Sequence, residues 1–509
     1  MQRALDINRT RFADWYQAVV RDADMAETSP VRGAMVIKPW GYGVWEQIQQ
    51  ELDRRIKATG HENCYFPMFI PLSFIAKEAE HVEGFAKEMA IVTHHRLKMI
   101  DGKLQPDPDA KLEEPLVVRP TSETIIGDAF ARWVRSHRDL PLLINQWANV
   151  VRWEMRPRLF LRTTEFLWQE GHTAHASEAE AVEETRKMLE VYRTFSEDTL
   201  AMPVIAGEKP ENERFPGAVN TYSIEAMMQD GKALQAGTSH FLGTHFAEAQ
   251  GIKFQDDAGT VTLCNTTSWG VSTRLIGGVI MTHGDDDGLR LPPAIAPKQI
   301  VIVPMLRDKP EDADVLKYCE DLVAMLRKLS IFGQPVRAHL DTKKIKSAEK
   351  RWNWVRRGAP IIIEIGPRDA AGGNVTYMRR DQLREGDKIK SIALPRQEFL
   401  EEKAVQLLAE IQHGLYAEAK ARLDGNIRCG VTDWKGVEDY YAGSDDDFKG
   451  WLRVSWSKPT AAALDAVDTK LKGLKLTIRN APLDQPASFA PCLFTGAAGV
   501  EEILIGRAY

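Results

Sequence analysis

An alternating run in the middle of the chain constrains the fold more than any other feature of its 509 residues. Phe166, Trp168, Glu170 and His172 stand at every second position, and the side chains of a β-strand point to opposite faces with that period. A strand here therefore places two aromatic rings, a carboxylate and an imidazole on one face of a sheet. Although a lone tryptophan usually belongs to a core, this combination predicts the wall of a binding pocket.

A second pattern lies just before this run. Arg152 and Glu154 are two positions apart, so a strand puts the guanidinium and the carboxylate on one face. An arginine so placed can hold a phosphate or a carboxylate with two parallel hydrogen bonds. The connection to the alternating run carries Arg156, Arg158 and Arg162 and could close over a polyphosphate. Taken alone, the pattern is much more typical of a β-hairpin with a solvated basic turn.

Two further segments favour the binding site over the solvated turn. Residues 270–278 follow an apolar strand and open a glycine-rich helix, with Arg274 in the first turn, where anions are favoured. Earlier in the chain, an apolar stripe predicts a helix over residues 44–59 that stops at Gly60. A strand over residues 65–70, interrupted by Pro67, follows it. The three segments together are a far more specific signal than any one of them.

In chain order, residues 44–70, 151–166 and 270–278 resemble motifs 1, 2 and 3 of the class II aminoacyl-tRNA synthetases. Other segments resemble the prolyl-tRNA synthetases in particular; they are residues 81–90, 119–123, 166–172, 235–240, 363–369, 379–381 and 506–509. About 100 residues separate Gly171 from the third motif, which leaves no room for a large editing insertion. The resemblance is therefore to the archaeal and eukaryote-like branch of that family.

The resemblance implies a site for proline. Thr121 and Glu123 are expected to hold its secondary ammonium group, and Arg152 its carboxylate. The pocket wall is expected to comprise Trp168, Glu170, His172 and His240. A protonated imino group needs an anionic partner, which agrees with Glu123. From the residues alone, a purely structural role for Glu123 is equally open, in which it is only a partner in the cap at the start of a helix.

The resemblance also implies a site for ATP and its Mg²⁺. Arg152 is expected on the α-phosphate and Arg274 on the γ-phosphate, and these two are the predicted catalytic residues. Phe166 is expected to stack on adenine and Glu154 to read its exocyclic amine. The other predicted ATP-binding residues are Arg162, Thr163, Gln235, Thr238 and Ser272. Phe85 and Glu88 lie in the segment that closes over the site in the family. The magnesium is expected to bridge phosphates rather than to occupy a protein cage.

The chain divides into three predicted domains of α/β type. Residues 1–283 are expected to form the class II catalytic domain on an antiparallel sheet, and residues 284–297, rich in Gly, Asp and Pro, a linker. Alternating strands and helices over residues 298–395 predict an α/β anticodon-binding domain with a partly parallel sheet. A long helix over residues 397–421 then leads into a small α+β domain at residues 396–509.

The carboxy-terminal domain of the family often holds a structural zinc with four cysteines. Here only Cys429 and Cys492 remain, and two thiolates cannot complete a tetrahedral sulfur shell. The zinc site is therefore expected to be lost, with metal ligands absent. Packing of four apolar side chains is expected to replace it: Trp451, Trp456, Leu471 and Leu474.

Composition bounds the location and the partners. The five cysteines are scattered singly, which fits a reducing cytoplasm. No apolar run approaches the roughly 20 residues of a membrane helix, and the charged amino terminus does not read as a secretory segment. The net charge of −6 argues against a coat of nucleic acid but allows tRNA(Pro) on a local basic surface. The first motif implies a homodimer.

Three other functions fit these residues less well. A class II synthetase for threonine or glycine lacks support, because the proline-type segments are present and a zinc-binding Cys/His pocket is not evident. A synthetase-like protein without catalysis would be expected to lose at least one of the charged residues that are retained here. An adenylating enzyme that passes its product to a carrier protein leaves the anticodon-binding-like region without a purpose.

Overall fold

The computed structural model describes residues 5–77, 89–444 and 447–509. We refer to residues 5–283 as the amino-terminal region, 284–395 as the middle region and 396–509 as the carboxy-terminal region. Phe85 and Glu88, predicted to close over the site, lie outside the described residues. Within the described part of the chain, every helix is too short or too polar to cross a bilayer.

The amino-terminal region contains sixteen strands and seven α-helices among its described residues. The strands are β1 (Ala26–Thr28), β2 (Met35–Ile37), β3 (Glu62–Asn63), β4 (Phe69–Pro71), β5 (Ile91–His94), β6 (Leu97–Ile100), β7 (Lys103–Pro106), β8 (Lys111–Val118), β9 (Leu142–Val151), β10 (Glu165–His175), β11 (Ile205–Glu208), β12 (Asn220–Met227), β13 (Ala233–Gly243), β14 (Lys253–Gln255), β15 (Val261–Leu263) and β16 (Asn265–Ser272). The helices are α1 (Phe12–Asp22), α2 (Pro39–Ala58), α3 (Leu72–Lys77), α4 (Glu123–Trp133), α5 (Glu178–Asp198), α6 (His245–Gln250) and α7 (Arg274–His283). Short 3₁₀ turns lie at Arg9–Arg11, Pro108–Ala110, His137–Asp139 and Glu211–Glu213.

One large sheet organises this region. Its inner strands run in the order β11-β12-β13-β16-β10-β9, all antiparallel, and β3 adds at one edge in parallel. Helix α5 covers one face: Tyr192 donates a 2.6 Å hydrogen bond to the amide oxygen of Gln169 and packs edge-on to Trp269. Since Gln169 alternates with Trp168 and Glu170, those two side chains point to the opposite, open face. The predicted antiparallel sheet of this region is confirmed.

The first motif folds differently from the prediction. Helix α2 begins at Pro39, five residues before the predicted start, because proline is well suited to the first position of a helix. Inside the helix, Gly41 packs too closely on the chain for a side chain to fit, since a Cβ there would lie 2.3 Å from the Met25 carbonyl oxygen. The predicted strand over residues 65–70 is wrong: pairing is limited to β3 and β4, because Pro67 between them has no N–H to donate.

The middle region is a mixed α/β unit, as predicted. Its strands are β17 (Ile300–Pro304), β18 (Ser330–Ile331), β19 (Gln334–Pro335), β20 (Ala338–Leu340), β21 (Ile361–Ile365), β22 (Asn374–Arg379), β23 (Arg384–Glu385), β24 (Lys388–Ile389) and β25 (Ile392–Pro395). Its helices are α8 (Asp312–Leu326), α9 (Ser347–Arg357) and α10 (Pro367–Gly372). Strands β20, β17 and β21 are parallel, and β22 and β25 extend the sheet in antiparallel fashion.

The carboxy-terminal region starts with a long helical segment that is not uniform. Helix α11 (Arg396–Glu398) passes into a π turn at Phe399–Lys403 and then into α12 (Ala404–Gly425). The prediction of one regular helix is therefore wrong at its start, where fully buried Phe399 packs against the ring of Tyr377. The other elements are α13 (Trp434–Tyr441), α14 (Ala461–Lys472), β26 (Ile427–Arg428), β27 (Trp451–Trp456), β28 (Thr477–Ile478), β29 (Ala481–Pro482) and β30 (Glu501–Gly506).

The sheet of this last region has the order β26-β27-β30-β28, and β29 leaves it to pair with β11 of the large sheet. Trp456 and Leu471 share a buried core, with Leu474 packed against it. The expectation that Trp451 belongs to the same core is wrong. Its ring packs in a separate cluster with Met227 of the amino-terminal region, and its N–H donates to the Gly231 carbonyl at 3.1 Å.

The two cysteines of the expected lost zinc site have different surroundings. Cys429 is exposed and Cys492 is buried. Burial raises the pKa of the Cys492 thiol, but hydrogen bonds with the hydroxyl side chains of Ser457 and Thr495 outweigh it, so the pKa is lowered overall. Among residues 5–77, 89–444 and 447–509, no group of three or more His, Cys, Asp or Glu side chains could hold a metal ion.

We expect the purified protein to contain no stoichiometric zinc, and a strong chelator to leave its melting temperature unchanged once Mg²⁺ is restored. A domain that uses a structural zinc unfolds when the metal is removed, whereas this one packs around Trp456 and Leu471. Cys492→Ser should cost about 1 kcal/mol, as should Cys319→Ser, the matched buried thiol of the middle region. One zinc per chain, or a large fall in melting temperature on chelation, would contradict this expectation.

Candidate active site

Two adjoining cavities open on the free face of the large sheet. The first has a volume of about 240 Å³ and the second about 170 Å³. Together they are lined by all fifteen residues predicted for the site: Thr121, Glu123, Arg152, Glu154, Arg162, Thr163, Phe166, Trp168, Glu170, His172, Gln235, Thr238, His240, Ser272 and Arg274. Four of these line both cavities: Arg152, Phe166, Ser272 and Arg274. The structure thus gathers the predicted set, while the individual roles stay predictions.

The register of the sheet explains why residues distant in sequence meet. Glu170 on β10 stands opposite Gly270 on β16, which stands opposite Thr238 on β13. In the next row, His172 and His240 flank Ser268 of β16 in the same way. Gly270 lines the first cavity without a side chain, and a Cβ there would lie 3.0 Å from the Gln169 carbonyl oxygen.

Arg152 does not lie on a strand, which corrects the prediction. Strand β9 ends at Val151. Just beyond it, the Arg152 N–H donates a hydrogen bond to the Thr164 carbonyl at 2.8 Å, in the segment that leads into β10. Its Nε donates to the Pro120 carbonyl at 2.9 Å. The guanidinium carbon lies 5.7 Å from the Phe166 ring centre and 5.6 Å from that of Trp168. These contacts, rather than strand alternation, aim Arg152 into both cavities.

The acidic end of the first cavity is built on the start of helix α4. Glu123 is the first residue of the helix, and its carboxylate accepts a short hydrogen bond from the Thr121 hydroxyl. Ser122, at the N-cap position, makes no side-chain capping hydrogen bond. The side chain of Glu123 is buried and lines the cavity, so the alternative in which it only caps the helix has no capping contact to support it.

Glu170 is held from three directions. One of its carboxylate oxygens accepts from Ser122 Oγ and from Gln146 Nε2, both at 2.5 Å, and the other lies 2.9 Å from His172 Nε2. Burial acts to lower the pKa of His172, but the hydrogen bond and charge of Glu170, with the charge of Glu123, raise it overall. The neighbouring carboxylates therefore favour the protonated form of the His172 imidazole.

His240 has the opposite electrostatic setting. Burial and the charge of His172 lower its pKa to about 3, so the ring is neutral. Its Nδ1 lies 3.0 Å from the Thr221 hydroxyl, and its ring packs against Phe215 with centres 4.7 Å apart. The pKa values of the two histidines in this cavity are thus shifted in opposite directions.

The second cavity is strongly basic. Arg274 begins helix α7, and its guanidinium makes long contacts with the carbonyls of Leu161 at 3.4 Å and Gln235 at 3.5 Å. Burial and the charges of Arg152 and Arg162 lower the pKa of Arg274 to about 10, which still leaves it protonated at neutral pH. Since three arginines face the single carboxylate of Glu154 here, an anion is the favoured occupant.

Glu154 keeps its place through contacts at the turn. One carboxylate oxygen accepts from the Arg156 N–H at 2.7 Å, and the other lies 3.7 Å from Arg162 Nε. Thr163 donates its hydroxyl to the Glu165 carbonyl at 2.7 Å, which fixes the return into β10. Glu154, Arg162 and Thr163 line only the second cavity.

Sequence reasoning missed part of the site. Ser122 and Gln146 hold Glu170 from behind, and the wall opposite β10 is formed by Glu213, Arg214 and Phe215. Only the Ser122 position stood inside a segment singled out beforehand. The others carry no local signal, because contacts with strands far away in sequence bring them to the cavity.

Comparison with known proteins places this geometry in a family. Residues 106–283 match the family described as "tRNA synthetase class II core domain (G, H, P, S and T)", and residues 299–403 match "Anticodon binding domain". The chain is 66% identical to the proline–tRNA ligase of Sphingomonas elodea over 100% of both chains.

Two crystal structures of prolyl-tRNA synthetase from Cryptosporidium parvum share the fold at 35% identity, and each comparison covers 99% of this chain and 97% of the other. The one complexed with halofuginone and AMPPNP superposes with a TM-score of 0.87. The one complexed with L-proline and AMP superposes with a TM-score of 0.86.

The two histidines predict opposite dependences on pH. His172 has a raised pKa, so its contribution to stability is complete below the unfolded pKa of about 6.5 and is lost as pH rises through the folded value. His240 has a lowered pKa, so its contribution is present above about pH 6.5 and is lost as pH falls. We therefore expect His172→Gln to lower the free energy of unfolding more at pH about 5.5 than at about 8.5, and His240→Gln to do the reverse. Denaturant unfolding at both pH values measures this; the same trend in both variants would contradict the assignment.

Proposed function

This chain belongs to the proline–tRNA ligases, and from that premise we propose how its residues bind and activate proline. The activity is that of an aminoacyl-tRNA synthetase: proline and ATP form prolyl-adenylate and pyrophosphate, and proline then passes to tRNA. The observation that carries our assignment is the junction of the two cavities. The buried carboxylate of Glu123 lines only the first cavity, Arg162 lines only the second, and Arg152 and Arg274 line both.

We propose that the first cavity holds proline. The carboxylate of Glu123, with the Thr121 hydroxyl beside it, is the anionic partner for the secondary ammonium group. Arg152, at the other end of the cavity, holds the proline carboxylate. The aliphatic ring then lies among Trp168, His240 and His172, whose imidazole is held by Glu170.

We propose that the second cavity and the shared wall hold ATP. Phe166 provides the aromatic surface for adenine, and Glu154 accepts a hydrogen bond from its exocyclic amine. Arg162, Thr163, Gln235, Thr238 and Ser272 are assigned to the remaining ATP contacts. Arg274 stands at the start of α7, where both its charge and the helix dipole favour a terminal phosphate.

The chemical step needs positioning and charge rather than a base. A carboxylate oxygen of proline attacks the α-phosphorus of ATP, the bond to the bridging oxygen breaks, and pyrophosphate leaves with the electron pair. Arg152 holds the nucleophile and the α-phosphate together, and Arg274 stabilises charge on the leaving group. Effects of proximity and of fixed positive charge account for most catalysis of this type.

We propose that Mg²⁺ comes to the site on the ATP phosphates. The second cavity offers one carboxylate, Glu154, and Mg²⁺ demands near-octahedral oxygen ligands while retaining several waters. The residues therefore fit a metal held mainly by phosphate oxygens. When bound, the ion neutralises phosphate charge and polarises the α-phosphate.

We also propose that the chain belongs to the branch without the large editing insertion. Residues 171–270 contain only elements of the amino-terminal region, from β10 and α5 through β15 to β16. The Cryptosporidium parvum enzyme matches 99% of this chain, which leaves no comparable unmatched insertion.

We further propose that the middle region reads tRNA(Pro) and that the enzyme works in the cytoplasm, where its five free cysteines stay reduced.

We propose a homodimer that forms through the first motif and through the hairpin of β6 and β7 that follows it in the chain. Large apolar side chains are exposed there: Tyr65 at 70%, Met99 and Leu104 at 63% each, and Leu97 at 57%. Exposed apolar groups concentrated in one segment mark an interaction surface, and most soluble oligomers are symmetric dimers.

We expect sedimentation to give twice the chain mass at working concentration. The double variant Met99→Ser and Leu104→Ser should shift the protein towards the monomer, because it removes apolar area that a partner would bury. Val261→Ser, a variant at an exposed apolar residue of β15, is the control. A fully active monomer of the unaltered chain would refute the dimer.

The function is tested by ATP–pyrophosphate exchange with each of the twenty amino acids. We expect exchange that depends on proline and needs no tRNA, because Glu123, Arg152 and His240 share a cavity with the ATP-binding residues. Exchange driven best by threonine, or no exchange with any amino acid, would overturn the assignment.

Arg152→Ala should lower the exchange rate roughly a hundredfold or more, as loss of a transition-state electrostatic donor does. Arg152→Lys should also fail, because lysine cannot form the bidentate fork. Arg158→Ala is the matched control, since that arginine is exposed in the same connection and lines neither cavity. Near-normal exchange by Arg152→Ala would show that the residue serves only the hairpin.

A further inference from the structure

A buried group of charges lies beside the ATP half of the site and includes one residue from the carboxy-terminal region. Glu225 on β12 is fully buried, as are Lys209 and Arg479 within a few per cent. Arg479 donates to Glu225 Oε2 through Nη2 at 2.8 Å and Nε at 3.1 Å. Lys209 Nζ lies 3.2 Å from Oε1, which also accepts from Ser223 Oγ at 2.9 Å.

This group shares the face of the sheet that carries the cavities. Thr221, Ser223 and Glu225 alternate along β12, and Thr221 contacts His240 inside the first cavity. The hydrogen bond between Ser223 and Glu225 shows that these two side chains point the same way as well. Arg479 therefore covers the open face of the sheet at the margin of the active site.

Glu225 also stands at an irregularity that shapes the ATP site. Along β12 and β13, Ile224 pairs with Gly237 and Glu225 with Gln235, so Ala236 is an extra residue in β13. Such a bulge redirects the backbone next to it. Gln235 contacts Arg274 through its carbonyl at 3.5 Å, and Gln235, Ala236 and Arg274 all line the first cavity.

We propose that Arg479 is a positioning residue for ATP: by satisfying Glu225, it leaves Arg274 directed at the phosphates. This rests on the proposed function. Arg479 supplies both donors to Glu225 Oε2, so its loss leaves that oxygen buried without them, which is costly. The carboxylate would then compete with ATP for Arg274, a cation whose pKa its charge already acts to raise.

The interface around Arg479 is suited to fixing such a position. Strand β29 begins two residues later and pairs with β11 at the edge of the large sheet. Asn480 Nδ2 donates to the Ile205 carbonyl at 3.1 Å and lies 3.3 Å from Ser223 Oγ. Thr477 accepts from Arg479 Nη1 at 2.8 Å. Contacts made by the carboxy-terminal region thus fix the position of the Arg479 guanidinium that pairs with Glu225.

The test compares four full-length variants with the unaltered chain, below their melting temperatures. Arg479→Met should weaken AMPPNP binding in the presence of Mg²⁺ by about fivefold or more, a usual size for coupling between sites. The KM for ATP should rise equally and that for proline should stay within about twofold. Arg479→Lys should show the same direction, because it keeps the charge but not the two-donor contact.

Two further variants separate positioning from general destabilisation. Glu225→Gln combined with Arg479→Met should recover most of the AMPPNP affinity, because no carboxylate remains to attract Arg274. Arg453→Met is the matched control: that arginine pairs with Glu502 and Asp484 within its own region and should leave AMPPNP affinity unchanged.

An Arg479→Met variant that melts earlier but binds AMPPNP normally would overturn the proposal and leave a purely structural role. Unaltered AMPPNP affinity in Arg479→Lys would also overturn it, by showing that the charge alone matters; this milder variant decides the question should Arg479→Met not fold. AMPPNP binding without proline-dependent exchange by the unaltered chain would defeat the proposed function and leave the Arg479 result readable.

Discussion

The buried carboxylate of Glu170 is the interaction on which the active-site architecture depends. It accepts from Ser122 before α4 and from Gln146 on β9, and it pairs with His172 on its own strand. A buried carboxylate without partners would be very costly, so these groups must meet for the sheet to form as it does. The same contacts bring the start of α4, and with it Glu123, against β10. The charge that holds the strands together also defines one end of the pocket.

Charge is then divided between the two cavities. Glu123 and Glu170 line only the first cavity and Arg162 lines only the second, whereas Arg152 and Arg274 line both. Burial disfavours the charged form of Arg152 and lowers its pKa, while the two carboxylates act to raise it. An arginine in this balance remains cationic and has a strong attraction for the anions that replace water around it. The two arginines shared by the cavities thus stand where we propose that the amino acid meets the phosphates.

Local patterns predicted the site where one short segment determines the geometry. The period of two from Phe166 to His172 required only that the segment be a strand, and Arg274 required only that a strand lead into a helix. Prediction failed where distant contacts decide. Arg152 lies beyond the end of β9, and its side chain is held by the Pro120 carbonyl. Gln146, 24 positions before Glu170, contacts it from the adjacent strand. The wall at Phe215 depends on the whole sheet, and the π turn at Phe399 depends on burial against another region; neither has a pattern of its own.

The carboxy-terminal region is best understood as part of the catalytic sheet. Strand β29 pairs with β11, which would otherwise present an unpaired edge, and exposed edges invite association with other chains. Trp451 fills a core made with Met227, and the hydroxyl of Tyr509 donates to Asp230 at 2.6 Å. The region therefore gains stability from contacts that need no metal. Because Arg479 of the same region pairs with Glu225 beside the bulge at Gln235, the chain end that completes the sheet also borders the cavity where we propose that ATP binds.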